Sequence, residues 1–172
     1  LIGLRYNNHN EGALRNVRIR STDRGAIGLD MTETEFGPGL IKDVEVEGFA
    51  KGVTAPYNVS HATFENLTLR HQSVVGIENS LPISVLNLVS ENTVPAVNNG
   101  DGYLAHAVIV NAQLTGGSSA NAAIVSRGGL YLRNVTTSGY RVALHENGSD
   151  RAGMTVDEYV SVNDERFSAF TN

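Results

Sequence analysis

The sequence predicts an all-β protein that folds as a right-handed parallel β-helix, a solenoid of about six coils with three strands per coil. A short motif of an apolar residue, a polar residue, Asn or Asp, and an aliphatic residue recurs at intervals of 20 to 27 residues. Repeats of this length are typical of solenoids, in which each unit forms one coil. The 172 residues include 18 glycines and only 4 prolines, which fits many tight turns between short strands.

Six copies of the motif mark the coils. They are Leu14–Val17, Ile41–Val44, Phe64–Leu67, Val85–Leu88, Ala105–Val108 and Leu132–Val135. In five copies the third residue is Asn or Asp, which tolerate left-handed backbone angles, so each copy predicts a strand, a one-residue bend and a second strand. Aliphatic residues alternate with polar ones on both sides of the bend, as in half-buried strands. We expect the motif asparagines, among them Asn66 and Asn134, to point into the coil.

A further strand follows eight to ten residues later in most units. These strands are predicted at 25–29, 51–55, 74–77, 95–97, 122–125 and 141–144. Three strands in 20 to 27 residues match one coil of a parallel β-helix, whose neighbouring coils stack about 4.8 Å apart. A leucine-rich repeat has a similar period, but its leucine signature is missing.

Composition excludes several classes of function. The net charge is −5, from 13 basic and 18 acidic residues, with no basic run, which disfavours nucleic-acid binding. No apolar stretch approaches the roughly 18 to 20 residues that span a bilayer. The chain has no cysteine and therefore no disulfide framework or cysteine metal site. Because it opens at Leu1 within an apparent strand, we expect a mature or excised piece of a longer protein.

Residues 1–147 are predicted to form the coils, whereas residues 148–172 leave the pattern. An open β-helix exposes strand edges and core, so the tail is expected to cap the solenoid or to lie along its side. Three apolar residues of the fourth and fifth coils, Leu86, Val89 and Ile109, are expected to face outward. The tail, a loop or a partner chain would then cover this face, so an oligomer is one expectation.

The bends and the stacked Asn column resemble the pectin-lyase-like superfamily of right-handed β-helices. The stretch from Gly39 to Arg70 is most similar to the family 55 exo-β-1,3-glucanases and their bacterial relatives. The resemblance covers residues 1–147, but no catalytic motif of these families transfers residue by residue. It implies a secreted protein, extracellular or periplasmic, that degrades polysaccharide as a hydrolase or lyase. The alternative is a non-catalytic solenoid that binds polysaccharide, acts as an adhesin or tailspike, or is a truncated part of a larger enzyme.

A polar ridge is predicted at the end of the second strand of each coil. The column contains Asp30, Pro56, Glu78, Asn98, Ser126 and His145, and Asn79, Asn99, Arg127 and Glu146 follow one position later. Outward residues two positions before it are small and would form a floor for a sugar chain: Gly28, Thr54, Gly76, Ala96 and Ala143. The candidate catalytic residues are Asp30, Glu78, His145 and Glu146. The candidate substrate-binding residues are Asn79, Asn98, Asn99 and Arg127.

The spacing of two acids on this ridge fits hydrolysis. Asp30 and Glu78 are two coils apart, about 9.6 Å between backbones. This overlaps the roughly 6.5–9.5 Å between the carboxyls of inverting glycoside hydrolases. Ordinary polar turn residues at a strand end are the alternative. No cofactor is predicted. Calcium is a weaker option at the acidic loop that contains Asp30, Glu33 and Glu35, because such a loop is more often a solvated turn. The five histidines have no zinc-binding spacing.

Overall fold

The computed structural model describes residues 1–32, 37–55, 61–102 and 104–161. Within these ranges the protein is all-β, and its parallel strands stack into a β-solenoid of about six turns. The predicted fold class is therefore confirmed. None of the described residues belongs to a helix long and apolar enough to cross a membrane.

Two sheets form the walls of the solenoid. The eight-stranded sheet contains β1 (Ile2–Arg5), β3 (Ile27–Asp30), β5 (Lys51–Ala55), β7 (Val75–Asn79), β9 (Val97–Asn99), β11 (Ala122–Ser126), β13 (Val142–Glu146) and β14 (Ser149–Ala152), in that order. The seven-stranded sheet contains β2 (His9–Arg20), β4 (Gly37–Glu47), β6 (Ala62–Arg70), β8 (Ile83–Glu91), β10 (His106–Thr115), β12 (Gly129–Thr137) and β15 (Thr155–Val160). From β1 to β13 successive strands alternate between the two sheets, so every parallel pairing joins one coil to the next.

Each strand of the seven-stranded sheet from β2 to β12 bends at a motif residue in the left-handed region, and β2 has two further left-handed residues, Asn10 and Glu11. The six bend residues have φ between 52° and 59°: Asn16, Asp43, Asn66, Asn87, Asn111 and Asn134. The predicted strand, bend and strand are thus confirmed in five coils. In the fifth coil the predicted motif, Ala105–Val108, is wrong, because Leu88 pairs with Ala112 and places the bend at Asn111.

This shift changes one of the residues expected on the outer face. Ile109 pairs with Val85 and Leu132 and is fully buried, so its expected outward position is wrong. Leu86 and Val89 do face outward, with 39% and 38% of their surface exposed. The apolar face is therefore smaller than the sequence predicted.

The core lies between the sheets and consists of stacked columns of one residue per coil. One column is Ile41, Phe64, Val85, Ile109 and Leu132, each buried. Full burial of such a side chain stabilises the fold by about 1.5–3 kcal/mol. On the opposite sheet the buried column is Leu29, Val53, Ile77, Val97, Ile124 and Leu144. Stacked aliphatic columns of this kind stabilise every coil through both of its neighbours.

The small residues predicted to form an outward floor lie inside instead. Gly28, Gly76, Ala96 and Ala143 are all buried, so this expectation is wrong for them. A Cβ atom on Gly28 would lie 2.1 Å from Cγ1 of Val46, a residue of the opposite sheet. Small side chains are therefore required here because the two walls approach each other closely.

Antiparallel strands close the C-terminal end. β14 pairs with β13, and β15 pairs with β12, so the last strand of each parallel stack has a hydrogen-bonded neighbour. Paired edges are protected from association with other chains. Val156 of β15 is buried against the core. Residues 162–172, the remainder of the predicted tail, lie outside the described residues.

Candidate functional site

The polar ridge lies along the outer side of the eight-stranded sheet. Its members pair in register from coil to coil: Asp30, Thr54, Glu78, Asn98, Val125 and His145. Thr54 and Val125 therefore occupy the positions predicted for Pro56 and Ser126, and the predicted column was out of register in those two coils. Pro56 itself lies outside the described residues. The register brings Glu78, Asn98 and His145 into one column, as predicted.

Asp30 is the last residue of β3, and its carboxylate binds groups on both sides of the strand end. Its side chain is only 2% exposed. One carboxylate oxygen, Oδ1, accepts hydrogen bonds from the backbone amide and the hydroxyl of Thr32, at 3.1 and 2.6 Å. The other, Oδ2, lies 3.3 Å from Nε of Arg5. Both oxygens are thus occupied by groups of the solenoid itself.

Glu78 is more accessible, with 35% of its side chain exposed. Its Oε2 accepts a hydrogen bond from Nζ of Lys51, which lies one coil earlier. Thr54 stands between Asp30 and Glu78 in the column, and its buried hydroxyl has no hydrogen-bond partner among the described residues. Asp30 and Glu78 are therefore each paired with a cation, and the hydroxyl of Thr54 lies between them in the column.

His145 forms a polar cluster with two residues of the last coil. Its Nδ1 lies 2.7 Å from Oδ1 of Asp150, and Arg141 donates two hydrogen bonds to the same carboxylate, at 2.9 and 3.1 Å. The bond to His145, followed by that to Arg141, lowers the pKa of Asp150. Sequence reasoning missed Asp150. The signal was Asn147-Gly148, a dipeptide typical of hairpin turns, which here joins β13 to β14.

Glu146 points away from the ridge and is buried. Its two carboxylate oxygens accept hydrogen bonds from the hydroxyls of Tyr159 and Ser161, both at 2.6 Å. Burial, together with the bond to Glu146, raises the pKa of Tyr159 to about 12. Glu146 therefore binds the end of β15 to the last coil.

Two of the predicted substrate-binding residues, Asn79 and Asn99, are 1% and 0% exposed. Nδ2 of Asn79 donates to Oδ1 of Asn99 at 2.8 Å, and Nδ2 of Asn99 donates to the hydroxyl of Ser126 at 3.0 Å. The amides thus form an internal polar ladder at the ends of β7, β9 and β11. Asn98 and Arg127, the other two candidates, are exposed.

A second ladder lies on the surface, at the bends of the seven-stranded sheet. Asn66 and Asn134 are exposed, so their predicted inward orientation is wrong. Each amide donates to the bend residue of the preceding coil, over 2.7 to 3.2 Å. The left-handed backbone turns these side chains outward while the strand on either side keeps its aliphatic residues inside. The ladder runs from Asn134 through Asn111, Asn87 and Asn66 to Asp43.

A groove of about 270 Å³ follows the last three steps of this ladder. We call it the ladder groove, and its side chains include Asn87, Asn111 and Asn134 together with Val89, Gln113 and Thr136. The last three residues pair in register, so they form a second column beside the ladder. None of the residues that line the groove is charged. It is a neutral surface with a repeated hydrogen-bonding pattern.

A metal site finds no support in the described ranges, where no three His, Asp or Glu residues cluster in a way that would hold an ion. The calcium option also involves Glu33 and Glu35, which lie outside the described residues.

No protein-family model matches the chain. No curated protein matches it either. Function must therefore be argued from the two surfaces themselves.

Proposed function

We propose that the chain is a polysaccharide-binding β-solenoid and that it holds a neutral, extended glycan in the ladder groove. The observation that carries the proposal is the exposed, coil-to-coil ladder of Asn87, Asn111 and Asn134. The resemblance to pectin-lyase-like β-helices supports a secreted protein that acts on carbohydrate, although a fold hosts many functions.

The chemistry of the ladder suits a hydroxyl-rich ligand. An amide has two N–H donors and an oxygen with two lone pairs, and each ladder bond uses one donor and one lone pair. The remaining groups recur once per coil, about every 4.8 Å. Sugar hydroxyls both donate and accept, so a linear glycan can satisfy this mixed pattern. The absence of charge among the residues that line the groove favours a neutral polymer over a uronate.

The second column of the groove adds an apolar contact. Val89 is 38% exposed beside the ladder, next to Gln113 and Thr136 in register. Sugar rings have apolar C–H faces, which such a side chain can cover while the amides bind the hydroxyls. This arrangement of a few polar groups around an apolar patch is typical of ligand sites.

Substitution of a ladder residue tests the proposal. Asn111→Gly removes the amide, and glycine readily adopts the φ of 58° at this position. We expect Asn111→Gly to lose binding to a panel of neutral β-glucans, xylans and mannans in affinity electrophoresis. The matched control is Asn16→Gly, which makes the same change at the bend of the first coil, outside the groove. Equal binding by Asn111→Gly and the native protein would contradict the proposal.

A hydrolase is the second candidate, favoured by the position of Asp30 and Glu78 two coils apart with Thr54 between them. In this alternative Glu78, the more exposed acid, protonates the leaving sugar after it releases Lys51. Asp30 activates water after its carboxylate releases Thr32. A reducing-end assay on the same panel tests it, with absorbance at about 235 nm to detect the unsaturated product of a lyase. Activity that is lost in Glu78→Gln supports the hydrolase, and activity that survives both Glu78→Gln and Asp30→Asn excludes this site.

A further inference from the structure

The turns that follow β2, β4 and β6 form a second cavity on the surface, distant along the chain from the ladder groove. It has a volume of about 540 Å³ and is lined by Arg20, Ser21, Thr22, Arg24, Glu47, Gly48, His71 and Ser73. We propose that this cavity, the turn pocket, binds an oxyanion such as the sulfate or phosphate group of a substituted polymer. The proposal is independent of the ladder groove, since the two cavities share no residue.

The turn pocket is locally basic in a chain whose net charge is −5. Its lining contains two arginines and one carboxylate, Glu47. That carboxylate already has partners: Arg18 Nη2 at 3.1 Å and Arg20 Nε at 3.4 Å from Oε2, and His71 Nδ1 at 3.6 Å from Oε1. Burial raises the pKa of Glu47, but the neighbouring Arg18 and Arg20 outweigh it and lower the pKa overall. Glu47 thus stays ionised and orders the cations around it.

Arg24 provides the charge that the fold does not use. Within the described part of the chain it forms no hydrogen bond or ion pair, although it lines the pocket beside Arg20. A guanidinium presents a planar fork of donors that matches the oxygens of sulfate and phosphate. The hydroxyls of Thr22 and Ser73 line the same pocket and can add neutral donors.

The backbone places two of these side chains at some cost. Arg24 and His71 both have φ of 58°, in the left-handed region. Gly48 and Gly116, the first residues after β4 and β10, have positive φ as expected for glycine, whereas the first residue after β6 is His71. The left-handed region is disfavoured for residues other than glycine, because their Cβ approaches the following carbonyl oxygen. His71 therefore places a side chain in the pocket at the position where the preceding coil has Gly48.

Inorganic sulfate is the first probe. Calorimetric titration with sodium sulfate, at ionic strength held constant with sodium chloride, is expected to show one saturable site. Arg24→Asn and His71→Asn keep a residue type that tolerates positive φ, and each is expected to weaken sulfate binding about tenfold by removing a charged or hydrogen-bonding partner. Arg133→Gln, an exposed arginine of β12 outside the pocket, is the matched control and should bind as the native protein does.

Amide NMR spectra locate the site, with shifts expected at 21–25 and 71–73. No saturable heat with sulfate, or equal affinity in Arg24→Asn and the native protein, would overturn the proposal. Dextran sulfate and unmodified dextran then separate a polymer ligand from a free anion. Tighter binding of dextran sulfate than of sulfate identifies the substituted polymer, and equal affinity per sulfate group identifies the free ion. Because neutral glycans are assayed separately, loss of one activity leaves the other measurable.

Discussion

The hydroxyl of Tyr159 donates a hydrogen bond of 2.6 Å to Glu146, which joins the last antiparallel strand to the last parallel coil. Glu146 pairs in register with Ser126, so it continues the internal ladder of Asn79 and Asn99. The polar column inside the solenoid thus ends in an acid, and the closing strand provides the donors that this acid requires. This contact adds to the backbone pairing of β15 with β12 in holding the C-terminal strand.

Glu146→Ala is expected to destabilise the protein by about 2 kcal/mol, because it removes the acceptor of two charge-assisted hydrogen bonds, those donated by the hydroxyls of Tyr159 and Ser161. Urea unfolding measures the loss. Hydrogen exchange should show the amides of β15 opening first. Glu158→Ala, whose partner Tyr131 is on the exposed side, is the control and should change stability little. A smaller loss in Glu146→Ala than in Glu158→Ala would exclude the proposed attachment.

The protein should lose stability between about pH 10 and pH 12. Burial raises the pKa of Tyr140 and of Tyr159 from 10.0 to about 12. A group whose pKa is higher in the folded state stabilises it fully below the unfolded pKa, and this contribution disappears as pH rises through the folded pKa. Urea midpoints at pH 8, 10, 11 and 12, chosen around these pKa values, measure the decline. Tyr140→Phe should give a shallower decline, although it is less stable at pH 8 because bonds to the carbonyls of Asn92 and Val94 are lost. An unchanged slope would contradict this interpretation.

The carboxylate of Asp150 should stabilise the fold only at pH values at which it is ionised. Its pKa is lowered by the hydrogen bonds from His145 and Arg141, so the contribution is present above the unfolded pKa of 3.8 and disappears as pH falls through the folded value. Asp150→Asn is expected to be less stable than the native protein at pH 7, and the difference should shrink as the pH falls to about 2 and Asp150 becomes protonated. Thermal unfolding at the two pH values provides the comparison. An equal difference at both would show that the charge of Asp150 has no role.

Gly28→Ala is expected to destabilise the fold by about 1–3 kcal/mol through overpacking. The added Cβ would lie 2.1 Å from Val46 Cγ1 and 2.8 Å from the carbonyl of Gly52, so the two walls must separate. Gly153→Ala is the matched control, because nothing lies within 4 Å of its added Cβ. Chemical denaturation measures the stability of both variants. Similar midpoints would show that the two sheets separate at Gly28 without a loss of folding free energy.

The sequence predicted the number of coils and most strands because hydrophobic alternation and the Asn bend recur in each unit. It failed in the fifth coil, where the motif was placed at Ala105–Val108, four residues before its actual position at 109–112. The same error put Ile109 outside. The candidate ridge was predicted in part, since Glu78, Asn98 and His145 do align. Asn79 and Asn99 lie two residues after buried aliphatic residues of their strands, so strand alternation turns them inward, away from the ridge.

Side-chain direction at bends requires backbone angles that a pattern of residue types does not specify. Asn66 and Asn134 occupy left-handed positions that turn them toward solvent, whereas Asn79 and Asn99 are the last residues of β7 and β9 and turn inward. The turn pocket was also invisible in sequence, because Arg24 and His71 come from turns separated by a complete coil.

Every bond of the surface ladder has the same direction, from the amide of one coil to the oxygen of the coil before it. The chain of amides is therefore polar, with an acceptor at one end and a donor at the other. Asp43, which when ionised can only accept hydrogen bonds, lies at the accepting end of the ladder, where no donor is required. An acid in place of Asn66, Asn87 or Asn111 would still accept but could no longer donate, and the ladder would divide at that coil. Deamidation of Asn66, Asn87 or Asn111 would therefore interrupt the ladder at that coil, whereas the carboxylate of Asp43, at the accepting end, leaves every bond in place.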